Sequence, residues 1–190
     1  MSNSDIALLK QMINPTATVP LEENYQKKLV TLIEPSDNYE ITIYGMPDDD
    51  EVIIIKVDAF GAPTAIFQGN RGECKRADFV IIADTDKKKV ILFIEMKGRK
   101  KTSKEKEIIQ QLKGAQCFVA YCREIGQLFW QQENFLSGYK YRFVSIKDIK
   151  IPKKKTRFDC KTDCHDRPEN MLKISSPRNL QFNYLIGGKK

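Results

Sequence analysis

Two almost uninterrupted apolar runs, Ala77 to Ala83 and Lys89 to Lys97, are joined by the polar segment Asp84-Thr85-Asp86-Lys87. That composition is expected of a hairpin. Apolar residues on both faces of each run place the two strands in the middle of a sheet, because an edge or a solvent face would alternate. Each run carries charge at one end: Asp78 opens the first, and Glu95 and Lys97 close the second. Side chains alternate along a strand, so Ile91, Phe93, Glu95 and Lys97 share one face, and Asp78 shares a face with Val80 and Ile82.

The elements around this hairpin follow from periodicity. Ile6, Leu9 and Ile13 at helical spacing predict a short leading helix over residues 5–13, stopped by Pro15. Leu21, Tyr25, Leu29, Leu32 and Ile33 form a second stripe that predicts a helix from Leu21 to Ile33, ending before Pro35. On it Glu22 falls at the stripe edge. The period then changes to two, predicting strands over Tyr39 to Tyr44 and Val52 to Val57 with an acidic turn between them. Gly61 to Gly72, with Pro63, Gly69 and Gly72, predicts a loop.

Beyond Gly98 the basic segment Arg99-Lys100-Lys101 leads to Thr102-Ser103-Lys104-Glu105, which has the form of a capping box. Ile108, Leu112, Ala115, Val119 and Cys122 then recur at i, i+4, i+7, i+11 and i+14, predicting a long amphipathic helix ending near Gly126. Gln111 lies at the edge of this stripe. Tyr141 to Ile146 predicts a further strand, making a strand, helix, strand crossover able to pair in parallel. Gln181 to Ile186 predicts a closing strand.

Helix, three strands, helix, strand, with an Asp opening one central strand and Glu-x-Lys closing its neighbour, resembles the PD-(D/E)XK nuclease superfamily. The matching residues are Ala77-Asp78 and, after sixteen intervening residues, Glu95-Met96-Lys97-Gly98. The motif's proline is replaced by Ala77, which touches no ligand. The match spans about residues 18–148, leaving a C-terminal extension over 149–190. The resemblance implies an α/β fold with a restriction-endonuclease-like core, a mixed central sheet flanked by helices, in one domain. It also implies that Asp78, Glu95 and the Met96 carbonyl bind a metal ion and that Lys97 acts at the nucleophile. Glu22 would match the auxiliary acid of the first core helix, or else be a surface acid. Gln111 would match the glutamine some branches carry on the second, or else be a polar residue at a stripe edge.

The chemistry of these residue types points the same way. Cleaving a phosphodiester needs a hard cation to neutralise charge on the phosphate and to acidify an attacking water. Two carboxylates suit Mg2+, with Mn2+ as a substitute, because such ions prefer oxygen ligands and keep several waters. The bland alternative is a hairpin-end ion pair between Lys97 and Asp78 or Glu95.

Charge distribution bears on the partner. The net charge is +7, yet residues 1–146 hold 20 basic and 20 acidic side chains, while residues 147–190 hold 12 basic and 5 acidic. A basic tail suits a polyanion, because Lys and Arg that neutralise phosphates release counterions; the alternative is a solvated tail. Arg99, Lys100, Lys101, Lys104, Lys153, Lys154 and Lys155 are the candidate contacts to nucleic acid, expected to be DNA, with RNA or branched structures as alternatives. A silent binding or interaction module of the same fold is the rival to an enzyme. A homodimer, or membership of a larger defence, repair or mobile-element complex, is implied by resemblance alone.

The remaining features are weaker. Cys160, Cys164 and His165 cluster within six residues and either ligate zinc or form an ordinary loop, since no fourth ligand sits at a familiar spacing. Phe129, Trp130, Phe135, Tyr139 and Tyr141 are expected to fill space beside the long helix rather than stack on bases. Five cysteines at irregular spacing fit a reducing cytoplasm better than a disulfide framework. No apolar run approaches the ~20 residues that cross a bilayer, and no leader opens the chain, so neither membrane nor export is expected.

Overall fold

The computed structural model describes residues 4–35, 38–99, 103–148 and 165–188. They form an α/β structure of two mixed sheets and three helices. Helix α1 (Asp5–Met12) is capped by Ser4, whose side chain accepts the Ala7 amide, and it buries Ile6, Leu8 and Leu9.

The predicted helix over Leu21 to Ile33 is instead a β-hairpin, β1 (Glu22–Asn24) and β2 (Lys27–Glu34). Tyr25 and Gln26 take left-handed φ values of 49° and 60° and make its two-residue turn. The apolar stripe fits a helix, but Val30, Thr31 and Ile33 are β-branched, and Val30 and Leu32 point inward while Ile33 is exposed. What decides is a partner outside the window: β3 (Tyr39–Tyr44) pairs antiparallel with β2, setting Val30 opposite Ile43 and Leu32 opposite Ile41.

The acidic turn joins β3 to β4 (Val52–Lys56), which belongs to the other sheet, so these consecutive strands do not pair. In that five-stranded sheet β4, β5 (Phe79–Thr85) and β6 (Lys88–Lys97) run antiparallel. Helix α2 (Glu105–Phe129) crosses back, and β7 (Lys140–Lys147) and β8 (Leu172–Ser175) then add in parallel. The stripe residues of α2 are all buried. Its N-cap is Lys104, without a side-chain cap bond, so the expected capping box at Thr102 does not start the helix.

Both faces of the central strands are covered, as their composition predicts. Val80, Ile82, Ile91 and Phe93 join α1 and α2 in one apolar cluster. Phe79, Ile81, Leu92 and Ile94 join Val30, Leu32, Ile41 and Ile43 of the four-stranded sheet in another. The described part of the tail is built into both sheets rather than lying outside the core. Besides β8, it supplies β9 (Asn179–Gln181), parallel to β3, and the expected closing strand then turns into the short helix α3 (Phe182–Leu185). No helix among the described residues is long and apolar enough to cross a membrane.

Candidate active site

The two-residue turn between β5 and β6 sets Thr85 opposite Lys88 and Phe79 opposite Ile94. Asp78 lies at a bend immediately before β5, and Glu95 immediately follows Ile94 on β6, so the two carboxyls come to the same end of the strand pair. Asp78 is anchored on both sides: its carbonyl accepts the Val57 amide at 2.9 Å, and its Oδ2 accepts the Met96 amide at 2.6 Å. Met96 therefore enters the site through its N–H, while its side chain is buried in the apolar cluster between the sheets.

Glu95 is fully buried, and Asp78 and Lys97 are 8% exposed. Lys97 Nζ pairs with Glu95 Oε1, and Glu95 Oε2 has no hydrogen-bond partner among the described residues. In parallel register Ser145 of β7 lies beside Glu95 and is also buried.

Burial dominates the electrostatics. It pushes the Asp78 carboxyl up to about 7, against the opposing pull of the Met96 amide and the Lys97 charge. Burial, and then the charge of Asp78, hold Glu95 well above the carboxylate range. For Lys97, burial favours the neutral amine, but Glu95 and then Asp78 and Glu34 outweigh it and raise its pKa. A lysine beside a metal is expected to shift downward; with only carboxylates around it, this one shifts upward.

Two buried carboxylates thus face one ammonium, and a divalent cation is the natural complement. The donors are hard oxygens that suit Mg2+ or Mn2+. Among the described residues no group of three or more His, Cys, Asp or Glu side chains could hold one ion. An ion here would have Asp78 and Glu95 as its only side-chain ligands. That fits Mg2+, which is commonly bound by one or two carboxylates, with water and substrate phosphate completing its shell. The hairpin-end ion pair also exists, between Lys97 and Glu95, but it leaves the charge of Asp78 unmatched.

The other candidates separate. Glu22 stands exposed on β1 opposite Leu29, five residues along β2 from Glu34 and so roughly 17 Å from that end of the strand. It is on no helix, and the auxiliary-acid assignment falls with the helix. Gln111 is half-buried on α2 and makes no hydrogen bond among the described residues. Glu34, which sequence reasoning missed, is buried at the end of β2, and its charge acts on Asp78, Glu95 and Lys97. The clue was the inward alternation Val30, Leu32, Glu34, hidden by the helical reading of the segment.

Arg99 is tied to Asp148 at 2.7 Å, and Asp148 also accepts the Ser176 hydroxyl at 3.2 Å. Lys104 is exposed at the start of α2. Lys100, Lys101, Lys153, Lys154 and Lys155 lie outside the described residues, as do Cys160 and Cys164. His165 is buried, with Nε2 2.8 Å from the Leu185 carbonyl. Cys74, Cys117 and Cys122 are free thiols. Phe135 and Tyr139 are buried beside α2, as expected, whereas Phe129 is exposed. No family model, curated protein or solved structure matches the chain.

Proposed function

We propose that this protein is a Mg2+-dependent endonuclease that hydrolyses phosphodiester bonds in DNA, of the PD-(D/E)XK type. The observation that carries the proposal is the burial of Asp78 and Glu95 at one end of the β5–β6 pair, with Asp78 bonded to the Met96 amide and Lys97 paired with Glu95. Charges at the end of a hydrophobic sheet are costly without a use for them. In this proposal α1 takes the place of the first core helix, β4, β5, β6, α2 and β7 form the restriction-endonuclease-like core, and β1 to β3 are an insertion.

Asp78 and Glu95 would hold the ion; when bound, it would neutralise charge on the phosphate and acidify a water. The Met96 amide fixes one Asp78 oxygen and leaves the other for the ion. Lys97, now paired with Glu95, lies within reach of the water or the developing negative charge. Exposed Lys104 and the tail lysines would hold the backbone with little base specificity, so binding should weaken with salt. Free thiols support a reducing cytoplasm. A homodimer or a larger assembly would bring a second site to the other strand.

One observation favours a second proposal, a silent nucleic-acid-binding module: Lys97 already matches Glu95, as in a structural ion pair. Metal-dependent cutting of plasmid, duplex, single-stranded, branched and RNA substrates decides between them. An enzyme cuts at least one of these with Mg2+ and loses that activity in Glu95→Gln; a silent module cuts none.

A further inference from the structure

Around the segment that leads into Asp78 the chain builds a surface that the proposed chemistry leaves unused. Phe60 follows the short turn after β4, whose Val57 amide binds the Asp78 carbonyl, and Arg76 stands two residues before Asp78. The Phe60 ring lies 5.4 Å from Phe118 and 6.1 Å from Tyr121, both on α2. Phe118 is buried beneath, while Phe60 is 39% and Tyr121 55% exposed. The Arg76 guanidinium sits 5.6 Å from the Phe60 ring centre. Its Nη1 donates to the Cys74 carbonyl at 3.3 Å, its Nε is buried without an acceptor, and no carboxylate pairs with it among the described residues.

The surface is held in place. Gln110 donates to the Arg71 carbonyl at 2.7 Å, and Lys75 pairs with Glu107 at 3.0 Å, fastening the segment before Asp78 to α2. Partly exposed aromatic rings offer stacking to a base, and a guanidinium charge with no carboxylate partner offers a contact to a phosphate. A base in continuous duplex keeps its faces inside the stack. A base that reaches Phe60 and Tyr121 must therefore be unpaired.

We propose that Phe60, Tyr121 and Arg76 form a subsite for an unpaired nucleotide next to the phosphate that is cut, with its base against the two rings and its phosphate on Arg76. The substrate class is then a nucleic acid with a single-stranded segment at the cleavage point, such as a flap, gap or displaced end. This rests on the nuclease function proposed above, and binding without metal tests it separately.

The experiment is fluorescence anisotropy with the whole protein in EDTA, using a single-stranded oligonucleotide and the duplex of the same sequence. Wild type should prefer the single strand. Phe60→Leu and Tyr121→Ala should each weaken single-strand binding on the order of tenfold and collapse that preference, while Phe60→Trp retains it. Arg76→Gln should reduce the slope of log affinity against log salt by about 0.7, one phosphate contact on a single strand. Tyr121→Ala, at a side chain more than half exposed, keeps the test decisive where Phe60→Leu fails to fold.

The subsite is overturned by a wild-type preference for duplex, by variants that bind the single strand as wild type does, or by equal loss on both oligonucleotides. It is overturned as well by wild-type self-association that Phe60→Leu abolishes, which would make the surface a contact between copies. Absence of Mg2+-dependent cutting by wild type, with the single-strand preference intact, defeats the nuclease and leaves the subsite standing.

Discussion

The Asp78 carboxylate, at the bend that opens β5, accepts the amide of Met96, the residue after Glu95 on β6, at 2.6 Å. The pair of carboxyls is held in place because Glu95 sits within β6 and Asp78 is bonded to the Val57 and Met96 amides. It is costly because both groups are buried, and that cost has measurable consequences.

Removing either carboxylate should cost activity, and only the loss of Asp78 should raise stability. Asp78→Asn and Glu95→Gln are expected to lower metal-dependent cutting on the order of 100-fold or more, several kcal/mol of lost charge stabilisation. In EDTA at neutral pH Asp78→Asn should melt above wild type, because a buried carboxylate is replaced by a neutral group of the same shape, whereas Glu95→Gln should melt below it, because buried Lys97 loses its partner. Thermal denaturation checks this, and a lower midpoint in Asp78→Asn would count against buried charge as the cost.

The pH dependence has a defined sign. The Asp78 carboxyl titrates near its ordinary 3.8 in the unfolded chain and is pushed up to about 7 by burial in the folded one. Between those values the folded state binds more protons, so its contribution to stability is present at low pH and lost as pH rises toward 7. In EDTA the stability difference between Asp78→Asn and wild type should therefore grow from pH 4 to 7 and then level off. Mg2+ should shrink the difference above pH 7, where the carboxylate is ionised. Denaturant melts at stepped pH with and without Mg2+ measure both effects.

Lys97→Met should separate chemistry from ion binding. The variant is expected to retain a bound Mn2+ by calorimetry yet lose cutting, and without metal to be less stable than wild type, because Glu95 is left buried without its counter-charge. Added metal should recover most of that stability. A Lys97→Met protein that cuts normally would confine Lys97 to a structural ion pair.

Gly114 is expected to act at a distance. A Cβ there would stand 1.7 Å from the Lys75 carbonyl oxygen, so Gly114→Ala must push the Lys75 to Ala77 segment, and Asp78 with it, off α2. A loss of about 1–3 kcal/mol in stability is expected, together with weaker Mn2+ binding. Gly61→Ala, where an added Cβ meets nothing within 4 Å, is the control and should change neither.

What could be read from the residues alone was local. The β5 and β6 hairpin and the α2 stripe repeat within a short window, and a two-residue turn with sixteen residues between Asp78 and Glu95 is enough to bring those two to the same end of the hairpin. The β1 and β2 hairpin was illegible because Leu21, Tyr25, Leu29 and Leu32 satisfy a helical period, and the strand that overrides it lies beyond the next proline. Glu34 was lost with that segment. The pairing of Arg99 with Asp148, and the insertion of β9 beside β3, join residues far apart in the chain that no periodicity connects.

The most direct test is a crystal soaked in Mn2+ and measured for anomalous scattering. The expected result is a single strong peak within coordination distance of both the Asp78 and Glu95 carboxylates, absent in Asp78→Asn crystals. A well-ordered crystal with no peak there, or with those carboxylates turned away from each other, would contradict a metal site on this strand pair.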